Sequence, residues 1–191
     1  MITMPFSKKE KKFLLGLARR SIVHYLEKGE RLKIEPSEVP SKKLIETGAC
    51  FVSLHVGEEL RGCIGSLEAH QLLVFDVIDN AVNAAVNDPR FYALTMEELA
   101  KVKISISVLT KPVPFPVDSP DDLLNKLKPG KHGLILKQGW NRATFLPVVW
   151  EQIPGKEEFL AHLSVKAGLP PDGWKNPKTT YQVYEAEEFS E

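Results

Sequence analysis

Residues 49–65 decide the fold, and they read ACFVSLHVGEELRGCIG. In the first half, apolar residues alternate with others, so Cys50, Val52 and Leu54 lie on one face of a predicted strand. Gly57 begins a turn, and an extended pattern resumes at Leu60. The stretch therefore predicts a β-hairpin.

The length of the turn decides which side chains meet across this hairpin. A three-residue turn pairs Ser53 with Cys63. It also places His55 opposite Arg61. A two-residue turn would put Arg61 among the aliphatic residues of the first strand, which is costly for an unpaired charge. The hydrophobic pattern therefore favours the three-residue turn.

Helices are predicted on both sides of the hairpin. A helix over 7–28 begins at a capping box formed by Ser7 and Glu10. A second helix over 70–87 carries a polar stripe that includes Asn80 and Asn83. This stripe is either a binding surface or an exposed face with no further role.

The remaining chain alternates between short helices and strands. Asp88-Pro89 ends the second helix, and Asp88 and Arg90 are expected to form a local ion pair that holds the turn. Further elements are predicted as a short helix that begins at a second capping box formed by Thr95 and Glu98, a strand over 102–109, a helix from Ser119 to about 128, a hairpin over 132–146, a helix over 156–167 and a strand over 180–187. This order predicts an α+β fold with a mainly antiparallel sheet flanked by helices, in one domain over 1–191 with a smaller lobe around 111–150.

Composition excludes several classes of protein. The 191 residues include 25 Lys and Arg and 25 Asp and Glu, so a broad nucleic-acid-binding surface is not expected. Two cysteines exclude a disulfide framework and a four-thiolate zinc site, and no intrinsic cofactor or metal is predicted. The N-terminus does not read as a signal peptide and no stretch is long and apolar enough to span a membrane, so a cytoplasmic location is expected.

The strand Leu60–Gly65 combines groups that carry chemistry. Cys63 lies two residues from Arg61, and a nearby cation raises the thiolate fraction of a thiol. Glycines inside a strand mark close approach of a ligand or of another backbone. The alternative is that Cys63 is a small buried hydrophobe and that the glycines let a helix pack closely.

The segments 48–54 and 60–66 resemble the signature of the AMMECR domain (Alport syndrome, midface hypoplasia and elliptocytosis chromosomal region), whose prokaryotic members are called AmmeMemoRadiSam system protein A. Asp88–Phe91, 104–109, Phe145–Pro147 and 166–169 match the same family, although Ala93 stands where a proline is expected. The resemblance implies a two-lobed α+β domain. It also implies partners, namely a Memo-like protein and a radical S-adenosylmethionine protein.

Two functions are compatible with these observations. In the first, the protein is an enzyme or enzyme component with Cys63 as nucleophile and Arg61 as thiolate stabiliser, and His55 or His132 carries protons. In the second, it is a non-catalytic adaptor that binds the two partners through the same strand and the asparagine-bearing helix. The residues expected to contact a ligand or partner are Leu60, Gly62, Ile64, Gly65, Ser53, Asn80, Asn83, Asp88 and Arg90.

Overall fold

A computed structural model describes residues 5–191. Met1–Met4 lie outside the described residues, and they are part of the N-terminal segment that does not read as a signal peptide. The helices are α1 (Lys8–Lys28), α2 (Leu73–Val86), α3 (Met96–Leu99), α4 (Pro120–Lys126), α5 (Val149–Gln152) and α6 (Lys156–Lys166), with 3-10 turns at Pro36–Glu38, Lys42–Ile45 and Gly173–Lys175. The strands are β1 (Thr47–Val56), β2 (Glu59–Gly65), β3 (Gln71–Leu72), β4 (Val102–Leu109), β5 (Val113–Pro114), β6 (Gly133–Gln138), β7 (Asn141–Phe145), β8 (Thr180–Tyr184) and β9 (Ala186–Ser190).

The chain forms two compact units. The first comprises the described residues up to Lys111 together with Glu187–Glu191, and the second comprises Pro112–Ala186. The second unit begins near the start of the lobe expected around 111–150 and continues to Ala186. The predicted α+β class with mainly antiparallel pairing is confirmed.

The first unit contains a sheet in the order β2-β1-β4-β9, with the short strand β3 beside β1. One face of β1 and β4 is buried except beside the hairpin turn, where Val56 is 37% exposed. Val52, Leu54 and Ile104 of this face have no exposed surface. The core that covers this face includes Leu14 and Ile22 of α1 and Val77 and Ala81 of α2. The apolar face of these strands is therefore packed by the two long helices.

The ends of the helices form as the sequence indicates. Ser7 and Glu10 make the predicted capping box, and Gly29 closes α1 in the left-handed conformation at φ +73°. Thr95 and Glu98 form the second predicted capping box. The first residue of α2 is Leu73 rather than residue 70, because Gln71 and Leu72 pair with β1.

The β1–β2 hairpin has a two-residue turn followed by a β-bulge. Val56 pairs with Glu59 across a two-residue turn whose first residue is Gly57, at φ +61°. A β-bulge then follows, so that His55 faces Leu60 and not Arg61. The predicted pairing of Ser53 with Cys63 is correct, but the predicted three-residue turn is wrong. The bulge places one extra residue, Arg61, in β2 and returns the later side chains to their expected faces.

The second unit contains a sheet in the order β5-β8-β6-β7. Trp150 stacks on Phe159 at a ring-centroid distance of 3.6 Å within its core. Trp140, in contrast, is fully exposed at the tip of the β6–β7 hairpin. The predicted single strand over 180–187 is two strands, because β8 pairs with β6 whereas β9 joins the sheet of the first unit.

Within residues 5–191, every helix is too short or too polar to cross a lipid bilayer.

Candidate functional site

Cys63 lies in a row of small polar side chains across three strands. The Ser53 hydroxyl donates a hydrogen bond to the Cys63 sulfur at 3.1 Å, and Ser105 of β4 lies on the other side of Ser53. Cys63 is partly accessible, whereas Ser105 is only 8% exposed. The row lies on the sheet face opposite the helices, as the alternation of the sequence predicts.

Asp88 and Arg90 hold the backbone of Cys63 at the outer edge of β2. The buried Asp88 carboxylate accepts the Cys63 N–H at 2.8 Å, and Arg90 donates to the Cys63 carbonyl at 3.3 Å. Both backbone groups of Cys63 thus point away from β1, which makes Ser53–Cys63 a pair without mutual backbone hydrogen bonds. Such pairs bring their side chains closest together, and this explains the contact between the hydroxyl and the thiol.

The predicted ion pair between Asp88 and Arg90 is confirmed. The guanidinium contacts both carboxylate oxygens, at 3.0 and 2.7 Å. This contact, together with the N–H groups of Cys63 and Arg90, holds the pKa of Asp88 well below its ordinary value, against the effect of burial, which raises it. The carboxylate is buried and the guanidinium is 55% exposed, so the pair presents its positive partner to solvent.

Arg61 is not positioned as the thiolate stabiliser that the sequence suggested. As the bulged residue, it donates to both carboxylate oxygens of Glu98, at 3.2 and 3.3 Å. The cation nearest to Cys63 in the described contacts is Arg90. Both guanidiniums lie against the ring of Phe91, with 5.9 Å from Arg61 and 5.4 Å from Arg90 to the ring centroid.

The glycines of the motif are explained by packing. A Cβ atom at Gly62 would lie 2.1 Å from the backbone oxygen of Ala84, so α2 reaches β2 only because this side chain is absent. A Cβ atom at Gly65 would lie 2.2 Å from the ring of Phe51. Ile64 packs against the core of the first unit, while Leu60 is 37% exposed. Ligand approach is therefore not needed to account for either glycine.

The two histidines proposed as proton carriers have different environments. His55 is partly exposed on β1, between Leu60 and Lys103. His132 belongs to the second unit, where its Nδ1 accepts the Lys128 N–H at 3.3 Å. Burial lowers the pKa of His132, so this ring favours the neutral form.

The asparagines of α2 serve the fold. Asn80 is 4% exposed and donates to the Cys50 carbonyl at 3.2 Å and to Asp76 at 3.0 Å. Asn83 accepts a hydrogen bond from Arg31 at 2.7 Å. Asn80 and Asn83 therefore have structural roles, because their amides join α2 to β1 and to the loop before β1.

Two further candidate functional residues, Glu98 and Tyr92, are not predicted from the sequence. Glu98 was recognised only as a capping residue, although it also pairs with Arg61. Tyr92 follows the matched turn and is 94% exposed. Its sole sequence signal is an aromatic residue directly after a turn. No group of three or more His, Cys, Asp and Glu side chains within residues 5–191 is arranged to hold a metal ion.

Comparisons with known proteins cover almost the whole chain. The family model described as AMMECR1 matches residues 15–189. A protein of Methanopyrus kandleri is 40% identical over 190 residues, which is 95% of this chain and 88% of that protein. A protein of Methanothermobacter thermautotrophicus is 37% identical and covers 98% of this chain and 97% of its own length. The crystal structure of an uncharacterised protein from Pyrococcus horikoshii has a TM-score of 0.88 at 36% identity and covers 97% of this chain and 93% of that one.

Proposed function

We propose, on the premise that this chain belongs to the AMMECR1 family, that it is a binding subunit that docks other proteins through one surface patch. The patch consists of Leu60 and Arg61 on β2, Arg90, Phe91 and Tyr92 in the turn after α2, and Met96 at the start of α3. We call it the β2-edge patch. The proposed partners are a Memo-like protein and a radical S-adenosylmethionine protein, as the family resemblance implies.

The observation that carries this proposal is the location of exposed apolar side chains. In the described part of the first unit, large hydrophobic residues with high exposure are Val56, Leu60, Tyr92 and Met96. They lie on the β1–β2 hairpin, in the turn after α2 and in α3, and the contacts of Arg61 with Phe91 and Glu98 bring these three segments together. Tyr92 is 94% exposed, and its ring makes no packing contribution to the unit. Exposed apolar groups that gather in one place are typical of interaction surfaces.

Arginine and aromatic residues give the patch the composition of a protein interface. Interface hot spots are enriched in Tyr, Trp and Arg, and charged side chains of a stable interface are held in fixed positions. Here Phe91 and Glu98 fix Arg61, while Phe91 and Asp88 fix Arg90. Ordering these guanidiniums before binding reduces the entropy lost on association.

Co-purification of the full chain with each proposed partner tests this function. Tyr92→Ser removes the most exposed ring of the β2-edge patch, and because the ring is outside the core, the variant is expected to fold normally. We expect complex formation with the unmodified chain and loss of most of it with Tyr92→Ser. Trp140→Ser is the matched control, since it removes an equally exposed aromatic ring from the second unit.

Two results would reject the proposal. One is that neither partner co-purifies with the unmodified chain. The other is that Tyr92→Ser and Trp140→Ser retain the complex equally, since the ring would then lie outside the interface.

A second candidate function, as a thiol-dependent enzyme component, is favoured by the contact between Ser53 and Cys63. The Ser53 hydroxyl lies 3.1 Å from the Cys63 sulfur and is positioned to donate to it during a reaction at the thiol. Arg90, rather than Arg61, is the cation that would help it. The rate of iodoacetamide labelling of the folded protein tests this candidate. A Cys63 that reacts only after unfolding would exclude it, whereas rapid labelling that slows in Ser53→Ala would support it.

A further inference from the structure

A groove of about 500 Å³ lies in the first unit, away from the residues of the β2-edge patch. Its walls come from the N-terminal half of α1 and from the segment 189–191. This volume is within the range of sites that hold small molecules. Three features of this groove point to a binding site: two of them reduce the stability of α1 locally, and the third is an apolar wall.

The first feature is Gly16, in the middle of a 21-residue helix. Glycine inside a helix is less stable than alanine by about 1 kcal/mol. Proteins accept this cost where a neighbour approaches closely, as α2 approaches Gly62. At Gly16 an added Cβ atom would meet nothing within 4 Å. The missing side chain therefore makes room for no described part of the protein, and its effect is to widen the groove.

The second feature is the pair Lys8 and Lys12, which lie one turn apart on α1 and line the groove. Like charges at this spacing destabilise a helix slightly. Both side chains are exposed, and neither forms an ion pair with another residue in the described part of the chain. Lys11, between them, pairs with Glu187 at 2.7 Å.

The third feature is an apolar wall beneath these charges. Leu15 is 8% exposed, and Phe189 is partly exposed beside it. The acidic residue of the groove, Glu191, is neutralised by its ion pair with Arg19. The groove thus combines two lysines that form no ion pair with an acidic side chain within residues 5–191 and two apolar residues.

We infer that this groove binds a small amphipathic anion, namely a carboxylate or phosphate monoester on a short apolar chain. The anionic head would lie between Lys8 and Lys12, and the chain would lie on Leu15 and Phe189 in the space left by Gly16. The two lysines favour a negatively charged head group, and the apolar wall favours an apolar chain. This inference is independent of the β2-edge patch and goes beyond the proposed function.

Isothermal titration of the full chain with four octyl probes tests the inference. Octanoate and octyl phosphate are expected to bind, whereas octanol and octylammonium are expected to bind at least about tenfold more weakly, because they lack the charge that the lysines favour. Whichever of the two anions binds more tightly identifies the head group. Equal binding of all four probes, or binding of none, would overturn the inference.

Variants separate the groove from the rest of the surface. Lys8→Gln with Lys12→Gln should weaken octyl anion binding by about tenfold, the scale of a lost charge contact. The control, Lys9→Gln with Lys28→Gln, removes two exposed lysines outside the groove and should leave binding unchanged. Equal effects of the two double variants would show that the anions respond only to overall charge.

Gly16 gives an independent readout. Gly16→Leu should abolish binding, because its side chain fills the groove. The same variant should melt no lower than the unmodified protein, since leucine favours a helix more than glycine does. Unchanged binding in a folded Gly16→Leu would contradict the placement of the apolar chain.

Discussion

The substitution Gly62→Ala tests whether the glycine of the β2 motif serves packing or a ligand. Its Cβ atom would lie 2.1 Å from the Ala84 oxygen and 3.1 Å from the Ala84 carbonyl carbon. A carbon and an oxygen atom normally stay about 3.3 Å apart or more, so α2 and β2 must separate by roughly 1 Å. The obstacle is backbone, which cannot rotate away as a side chain can.

The expected effect of Gly62→Ala is a large loss of stability. Overpacking a filled core usually costs about 1–3 kcal/mol, and a clash with helix backbone belongs at the upper end. A loss of about 3 kcal/mol lowers the melting temperature by roughly 6–12 °C for a chain of this length. Urea unfolding followed by circular dichroism measures the change in the free energy of unfolding.

Gly16→Ala is the matched control, because it makes the same chemical change where nothing lies within 4 Å. It should stabilise the protein by up to about 1 kcal/mol. A Gly62→Ala variant as stable as the unmodified protein would refute the packing explanation. The glycine would then have to be explained by a ligand that approaches β2.

The other predictions concern the contacts around Cys63 and α2. Asp88→Asn should destabilise the protein by about 2 kcal/mol or more at pH 7, because a buried carboxylate that binds Arg90 and two N–H groups is lost; urea unfolding measures this. Because the pKa of Asp88 is lowered in the folded protein, its stabilising effect is complete above about pH 4 and declines below it. The difference between the two proteins should therefore shrink at pH 3, and a difference that grows there would contradict this cause. Asn80→Leu should lower the free energy of unfolding by about 1–3 kcal/mol, because the Cys50 carbonyl loses the hydrogen bond that the Asn80 amide donates. Calorimetry measures this change, and an unchanged melting temperature would contradict the prediction.

The sequence predicts most of the first unit because its signals are local. Capping boxes, a left-handed glycine and strict alternation each involve residues within a few positions of one another, and Ser7–Glu10 and 102–109 formed as expected. The pairing of Ser53 with Cys63 was also correct, because only that register keeps the apolar faces together.

The failures share a different cause, which is contact between distant parts of the chain. The bulged residue Arg61 donates hydrogen bonds from its guanidinium to Glu98, which lies 37 positions away along the chain. No local pattern indicates that partner. Asn80 is buried because it joins α2 to β1, donating hydrogen bonds to the Cys50 carbonyl and to Asp76. The last strand divides at Glu185 because β8 and β9 belong to different sheets.

Amide hydrogen exchange of the full chain, measured with and without each proposed partner, tests the binding function most directly. Slower exchange is predicted in 59–65 and 88–98 when a partner is present, because these segments carry the β2-edge patch. The hairpin 133–145, which carries the exposed Trp140, should exchange at the same rate in both samples. Protection confined to that hairpin, or no protection anywhere at saturating partner, would contradict a docking role for the β2-edge patch.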